Sequence, residues 1–294
     1  AGRRNRPRLI RLGWRAETRN RCRSVLVADT NACSFRAVPT GRGATIRAAV
    51  SRGVGLPPSI ENLHLDAPGP DEVRVVVEAC AVCHSDLSYV DGIWATDFPL
   101  VLGHEASGRV ADVGDGVHDL STHDPVVVSL VRTCGECRAC RKGHEVACTG
   151  NLPLNDRSPL SDADGNRIPQ GLNVAAFATQ VVVHRSQVVR LPDGFDLIEA
   201  SLLGCGVLTG SGAVTNTARV GRGDAVIVVG CGGVGVGAIQ AARIAGAKPI
   251  LAVDPEADKR KAALGFGATH TVDPVGDDVA AAIRSATGGR LADH

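Results

Sequence analysis

The chain has 294 residues, 44% hydrophobic and 21% charged, with a formal net charge of +1. This is the composition of a globular protein long enough for two domains, and no apolar run approaches the ~20 residues that span a bilayer. Charge is unevenly placed: residues 1–45 hold eleven Arg against Glu17 and Asp29, a balance of +9 that leaves −8 for the rest, so the body of the chain is a poor match for nucleic acid or an anionic membrane surface.

The leader, residues 1–45, is Arg-rich and acid-poor, as transit peptides are. The chain contains no Met. The leader is therefore expected to be disordered or non-native sequence, with targeting or a basic arm as alternatives, and Cys22 and Cys33 within it carry no signal. Folded sequence is expected from about Ile46. Aromatic residues make up 3% of the chain, which leaves the core to Val, Leu, Ile and Ala. Residues 73–80 (VRVVVEAC), 125–131 (PVVVSLV) and 180–184 (QVVVH) read as strands. Between the last two lies a polar, turn-rich stretch, 152–171, read either as a loop at a substrate entrance or as a surface excursion.

Ten cysteines are many for a chain without a secretory signal, and a disulfide framework is not expected. Cys134, Cys137, Cys140 and Cys148 follow C-x2-C-x2-C-x7-C. Gaps of two residues let successive thiolates converge on one ion, and four thiolates close a tetrahedral zinc shell with no open position. An iron–sulfur cluster or a redox role uses related spacings. Three further stretches, 79–88 (ACAVCHSDLS), 99–108 (PLVLGHEASG) and 202–210 (LLGCGVLTG), each place a Cys or His at a turn. Cys83, His104 and Cys205 together would form a two-cysteine, one-histidine site whose fourth position stays open. Cys80 and Cys231 are read as small buried hydrophobes.

Downstream, Ala225–Val229 is a short β-branched run that reads as a buried strand. It leads into Gly230-Cys231-Gly232-Gly233-Val234-Gly235, which fits G-x-G-x-x-G. A helix is predicted from Gly233 to Ala245, ended by Gly246. A second strand, PILAVD, then places Asp254 nineteen residues after Gly235. Strand, glycine loop, helix, strand and acid in this order form a dinucleotide-binding fingerprint. Gly230 permits the tight turn, Gly232 the approach of a pyrophosphate, and Gly235 the packing of helix on strand. The helix N-terminus offers free N–H groups to phosphate. Asp254 would accept hydrogen bonds from the adenosine ribose and repel a 2′-phosphate, which favours NAD over NADP; Lys259 reads either as a second contact to that ribose or as a solvated helix charge.

Taken together and in order, these motifs resemble the zinc-dependent medium-chain alcohol dehydrogenases, from about Ile46 to His294. The strings GCGVLTGSGAVTNTARV and FGATHTVDP are most similar to the formaldehyde and aryl-alcohol dehydrogenase branch. The resemblance implies an α/β protein: a mostly β, GroES-like catalytic domain over 46–206, then the first half of a Rossmann doubly wound parallel sheet over 207–294. It implies two zinc ions per chain, a catalytic one on Cys83, His104 and Cys205 and a structural one on Cys134, Cys137, Cys140 and Cys148.

It also implies that Ser85 takes the alcohol proton, that Asp86 orients His104 and that Glu105 lies behind the metal. His84 would lie near the cofactor pyrophosphate. Thr209 and Val234 would pack against the nicotinamide, Gly233 belongs to the cofactor loop, and Trp94 and Leu130 fall where the family lines its substrate pocket. The implied activity is reversible, NAD-dependent oxidation of a primary alcohol, aromatic or a thiol adduct, in the cytoplasm and without membrane or nucleic-acid partners; full-length relatives are homo-oligomers, and the state of this chain is left open. Two departures stand out. The family's relay histidine, five residues after the first ligand, is Ser88 here. The sequence also stops where a later sheet strand is due, so the chain is expected to be C-terminally truncated and weakly active or inactive. A non-catalytic zinc-binding fragment and an NADPH-dependent quinone or enoyl reductase of the same superfamily are the alternatives.

Overall fold

The computed structural model describes residues 25–27 and 41–294; the remainder of the Arg-rich leader, including Cys22 and Cys33, lies outside the described residues. The chain divides into two compact units, Ala1–Gly204 and Cys205–His294.

The first unit is built on two sheets. Its strands are β1 (Val25–Val27), β2 (Ala44–Ser51), β3 (Ser59–Leu65), β4 (Glu72–Ala81), β5 (Leu100–Val101), β6 (Glu105–Val113), β7 (Pro125–Val128), β8 (Leu160–Ser161), β9 (Gln180–His184) and β10 (Val188–Arg190). Helix α1 (His84–Val90) follows β4, and three four-residue helices, α2 (Arg138–Arg141), α3 (Pro153–Asp156) and α4 (Leu197–Ala200), sit in the connections. The larger sheet runs β1-β4-β6-β7-β10, and β9 also pairs with β4. Residues 25–27 of the leader pair antiparallel with Ala79–Ala81 at the end of β4, so ordered pairing begins ahead of Ile46.

β4 reads as a nearly unbroken Val run because it is central. It pairs with β6 on one side and β9 on the other, and Val73, Val75 and Val77 enter a core with Val110, Val126, Val128, Val181 and Val183. Branched side chains suit this pleated, buried surface. Cys80 is 3% exposed and belongs to the same core, which is the hydrophobe's place expected of it.

The smaller sheet runs β5-β2-β3-β8 and corrects the reading of 152–171 as an excursion. That stretch contributes β8, which pairs with His64 and Leu65 of β3, and its Leu160 and Ile168 are buried in the second core with Ile46, Val50 and Leu65. The stretch is polar because its turns use Asp, Asn and Ser to satisfy their own backbone: Asp162 Oδ1 accepts from Asp164 N at 3.0 Å and Asn166 N at 2.8 Å. The strand predicted over 125–131 ends at Val128.

The second unit contains α5 (Gly206–Gly212), β11 (Val226–Val229), α6 (Gly233–Ala245), β12 (Ile250–Val253), α7 (Ala257–Phe266), β13 (His270–Val272) and α8 (Val279–Ala286). Its sheet is parallel, in the order β11-β12-β13, and each crossover is helical, as parallel pairing requires. α6 has the predicted bounds: Gly232 is its N-cap, and Gly246, at φ 82°, receives the left-handed turn that ends it. Asp293 and His294 bond to Ala225 and Ile227 along the outer edge of β11. Among the described residues no single helix is long and apolar enough to cross a membrane.

Candidate active site

In the first unit, β4 ends at Ala81 and the chain turns into α1, with Cys83 as N-cap. This places Cys83, His84, Ser85 and Asp86 on one turn. Asp86 closes a capping box: its Oδ2 accepts from Cys83 N at 3.0 Å, which satisfies one of the free N–H groups of a helix start. Its Oδ1 accepts from Gly103 N at 3.0 Å and faces His104 Nδ1 at 3.2 Å. One carboxylate, 1% exposed, therefore fixes both the helix that carries Cys83 and the strand entrance that carries His104.

His104 is itself 1% exposed. With Nδ1–H committed to Asp86, Nε2 is buried and makes no hydrogen bond of normal geometry. A buried polar atom without such a bond is costly, and this one lies in a group of metal-binding side chains. The Cys83 sulfur, one His104 ring nitrogen and a Glu105 carboxylate oxygen lie within 4.8 Å of one another. Burial pulls the His104 imidazolium down, but the Asp86 carboxylate on Nδ1 and the nearby Cys83 sulfur outweigh that and hold its pKa at about 9. Such a ring keeps its proton at neutral pH unless a stronger Lewis acid displaces it.

Gly204 packs against this strand entrance, where a Cβ would meet Val128 O at 2.6 Å and His104 O at 3.4 Å. Cys205 is bonded directly to Gly204 and is the N-cap of α5. Around α1, His84 is exposed and Ser85 half-buried. Ser88 Oγ donates to His84 O at 2.9 Å. Trp94 is 44% exposed and stacks edge-on against Tyr89, ring centroids 5.3 Å apart. Leu130 packs against the main core, and its carbonyl accepts from Asn173 Nδ2 at 3.3 Å.

The four clustered cysteines do converge. Their sulfurs lie within 4.8 Å of one another, with Cys137–Cys140, Cys148–Cys134 and Cys137–Cys148 at 3.5, 3.6 and 4.0 Å. A disulfide needs about 2.05 Å. Sulfurs at the corners of a zinc tetrahedron with ~2.3 Å bonds sit ~3.8 Å apart, which is the spacing seen. Backbone N–H groups aim at these sulfurs: Cys134 N and Gly150 N to Cys148 Sγ at 3.3 and 3.4 Å, and Cys137 N to Cys134 Sγ at 3.3 Å. Backbone hydrogen bonds lower the Cys137 thiol to about 5 and also lower Cys148, whereas burial and the neighbouring sulfurs push Cys140 up to about 12. Four sulfurs this close cannot all carry a negative charge without a cation among them. Gly150 is required by the packing, since a Cβ there would lie 2.3 Å from Cys134 Sγ.

In the second unit, Gly230 turns the chain at φ 90°, and Gly232 and Gly233 have open space where a Cβ would stand. A Cβ on Gly235 would lie 1.8 Å from Gly230 O, and one on Gly210 2.1 Å from Val234 O. The second contact carries Thr209, which is exposed, to the start of α6 beside Val234. Asp254, 3% exposed, accepts from Cys231 N and from Glu256 N, both at 2.8 Å. It thus braces the glycine loop before any ligand arrives. Burial opposes its ionisation, but these two backbone bonds and the charges of Lys259 and Arg260 hold its carboxyl below the usual range. Cys231 is buried beneath the loop, 4% exposed.

Sequence reasoning missed Arg132 and Gly103. Gly103, at φ 92°, has Phe177 N 2.5 Å from where a Cβ would stand; its signal in the sequence is the glycine of GHE.

The alcohol dehydrogenase GroES-like domain family matches residues 69–193, and the zinc-binding dehydrogenase family matches residues 233–294. Geraniol dehydrogenase of Castellaniella defragrans is 38% identical over 83% of this chain and 67% of its own length. The NDMA-dependent alcohol dehydrogenase of Amycolatopsis methanolica is 37% identical over 84% of this chain and 68% of its own.

Among solved structures, an alcohol dehydrogenase zinc-binding domain protein from Burkholderia ambifaria aligns with a TM-score of 0.80 at 37% identity, over 85% of this chain and 69% of that one. Benzyl alcohol dehydrogenase from Acinetobacter calcoaceticus aligns at 0.76 and 32%, over 84% and 69%. The chain spans between 59% and 68% of the length of the curated relatives it matches. On these matches, and on a β-rich GroES-like unit followed by a parallel nucleotide-type sheet, the chain belongs to the zinc-type medium-chain alcohol dehydrogenase family.

Proposed function

We propose that the chain carries the catalytic machinery for reversible hydride transfer between a primary alcohol with an apolar or aromatic body and NAD. The observation that carries this reading is the buried His104, fixed by Asp86 on one nitrogen and left without a normal hydrogen bond on the other, beside Cys83 and Glu105. The donor set suits zinc, with Cys205, the residue after Gly204 in the chain, proposed as the third ligand. Zinc there supplies a Lewis acid that makes an alcohol proton easier to lose, and NAD supplies the hydride acceptor. Asp86 keeps His104 in the tautomer that presents Nε2.

Ser85, on the first turn of α1, is the hydroxyl that receives the alcohol proton and passes it outward. Ser88, where the relay would continue, commits its proton to His84 O at 2.9 Å and supplies no titratable base. The exposed Trp94 and its edge-on partner Tyr89, with Leu130, favour an aromatic or long apolar substrate. The resemblance to geraniol and benzyl alcohol dehydrogenases supports that class. An ionised Asp254 favours NAD, with Lys259 beside it. The Cys134, Cys137, Cys140 and Cys148 lobe holds a second, structural zinc.

The test is a single turnover run in the aldehyde direction, so that slow product release does not mask chemistry. Zinc-loaded chain is mixed with NADH, then with benzaldehyde. The reading expects saturable NADH binding, weaker NADPH binding, and aldehyde-dependent loss of NADH absorbance that a chelator abolishes. NADH bound but never oxidised by the zinc-loaded chain would overturn it.

A further inference from the structure

Arg132, a half-buried cation, has no part in the scheme above. Arg132 stands between Leu130 and the first lobe cysteine, and its guanidinium donates to five acceptors. They are Gln187 Oε1 at 3.0 Å, Leu154 O at 2.6 Å, Asn155 Oδ1 at 3.2 Å, Gln170 Oε1 at 3.3 Å and Asn173 O at 2.8 Å. Two of these lie just beyond the lobe. The other three belong to, or brace, an arch over residues 170–177.

That arch is strained. Leu172, Asn173 and Ala175 have φ of 52°, 63° and 63°, left-handed values that side chains other than glycine adopt only where their surroundings hold them. Asn173 O accepts a second bond, from Gln187 Nε2 at 3.1 Å, and Gln170 Nε2 reaches Val174 O at 3.2 Å and Val182 O at 2.9 Å. The arch delivers Ala176 N to Gly103 O and Phe177 N to Leu102 O, both at 2.8 Å. Gly103 N in turn donates to Asp86 Oδ1, the oxygen that faces His104 Nδ1. A continuous run of hydrogen bonds and short covalent links thus joins Arg132 to the ring of His104, entirely within the first unit.

We propose that Arg132 is a positioning residue for His104: by clamping the left-handed arch it holds the Leu102–Gly103 peptides, and with them the imidazole, in place to take a metal. This rests on the reading of Cys83 and His104 as metal ligands. Arginine is demanded because only a planar fork with five N–H groups reaches acceptors on this many sides; a lysine ammonium has three donors at one point. A residue that merely braced the lobe would need only the Leu154 and Asn155 bonds.

Two measurements on the full 294-residue chain test this, with Arg132→Met, Arg132→Lys and the double variant Arg132→Met/Ala175→Gly. The first needs no metal. Hydrogen exchange at Ala176 and Phe177 is expected to quicken at least tenfold in Arg132→Met and less in Arg132→Lys, with β11 and β12 unchanged. Because glycine adopts the left-handed conformation freely, Ala175→Gly is expected to restore part of the protection.

The second is cadmium-113 NMR, in which a four-sulfur site is more deshielded than one with fewer sulfurs. Arg132→Met is expected to shift or broaden the less deshielded resonance and leave the four-sulfur resonance in place. Unchanged exchange at Ala176 and Phe177, an Arg132→Lys chain indistinguishable from wild type, or a perturbation confined to the four-sulfur resonance would overturn the proposal. Should Arg132→Met fail to fold, Arg132→Lys carries the same comparison. A wild-type chain with only the four-sulfur resonance would instead refute the Cys83–His104 metal site, and the exchange experiment would still decide whether Arg132 holds the arch.

Discussion

Replacing Asp86 by Asn keeps size and shape but removes the charge and one acceptor. The Asn carbonyl can keep the Oδ1 position, facing Gly103 N and His104 Nδ1. Its NH2 then points at Cys83 N, where Oδ2 had accepted at 3.0 Å, and donor meets donor. One charge-assisted hydrogen bond is lost, ~1.5–3 kcal/mol in a buried setting, and His104 loses the carboxylate that raises its basicity. At ~1.4 kcal/mol per decade, zinc at this site should bind ~10–100-fold more weakly, in line with the usual cost of removing a partner behind a metal histidine.

The assay is competition with a chromophoric chelator, which would separate the two proposed zinc ions by affinity. One ion should weaken by that factor and the lobe ion should not. In the metal-free chain the sign can be checked separately. The His104 pKa is raised from 6.5 to about 9, so its bond with Asp86 stabilises the fold fully below pH 6.5, and this contribution disappears as pH rises through 9. Asp86→Asn should therefore lower Tm more at pH 6 than at pH 9.5. Equal weakening of both zinc ions, or a Tm loss independent of pH, would refute the reasoning.

Gly150→Ala should selectively loosen the lobe, because the new methyl lands 2.3 Å from Cys134 Sγ; overpacking of ~1–3 kcal/mol predicts about ten- to hundredfold faster release of zinc from the lobe to a chelator. Asp254→Asn should narrow the preference for NADH over NADPH in fluorescence titrations. The depressed pKa of Asp254 means that its carboxylate stabilises the fold above its unfolded value near 3.8 and less as pH falls below that, so the variant should flatten the acid limb of unfolding. Ser88→His should introduce an inflection near pH 6.5 into the single-turnover rate, one that the wild-type chain lacks; an unchanged profile would mean that protons leave by another path.

The nucleotide-type unit was legible in the sequence because its signals are local. Gly232 and Gly246 bound α6, and Asp254 falls where β12 ends, each fixed by backbone geometry within a few residues. The four-cysteine lobe was legible for the same reason. Asp86 could be anticipated only through the resemblance, since its partners Gly103 and His104 lie seventeen and eighteen residues away in sequence. Arg132 was invisible. Its five acceptors are spread from Leu154 to Gln187, no periodicity marks them, and a lone Arg before a cysteine looks like surface charge. The 152–171 stretch misled because its polar residues serve its own turns, while Leu160 and Ile168, which seat it in the core, are two isolated hydrophobes in a polar run.

The central claim is that a second metal position exists beside His104 in addition to the four-cysteine lobe. Metal analysis of the purified chain combined with zinc X-ray absorption tests it most directly. The account predicts two zinc ions per chain and an average shell containing both sulfur and imidazole nitrogen, with Cys205→Ser removing one ion and leaving an all-sulfur spectrum. One zinc per chain with an all-sulfur shell in the unmodified protein would contradict it.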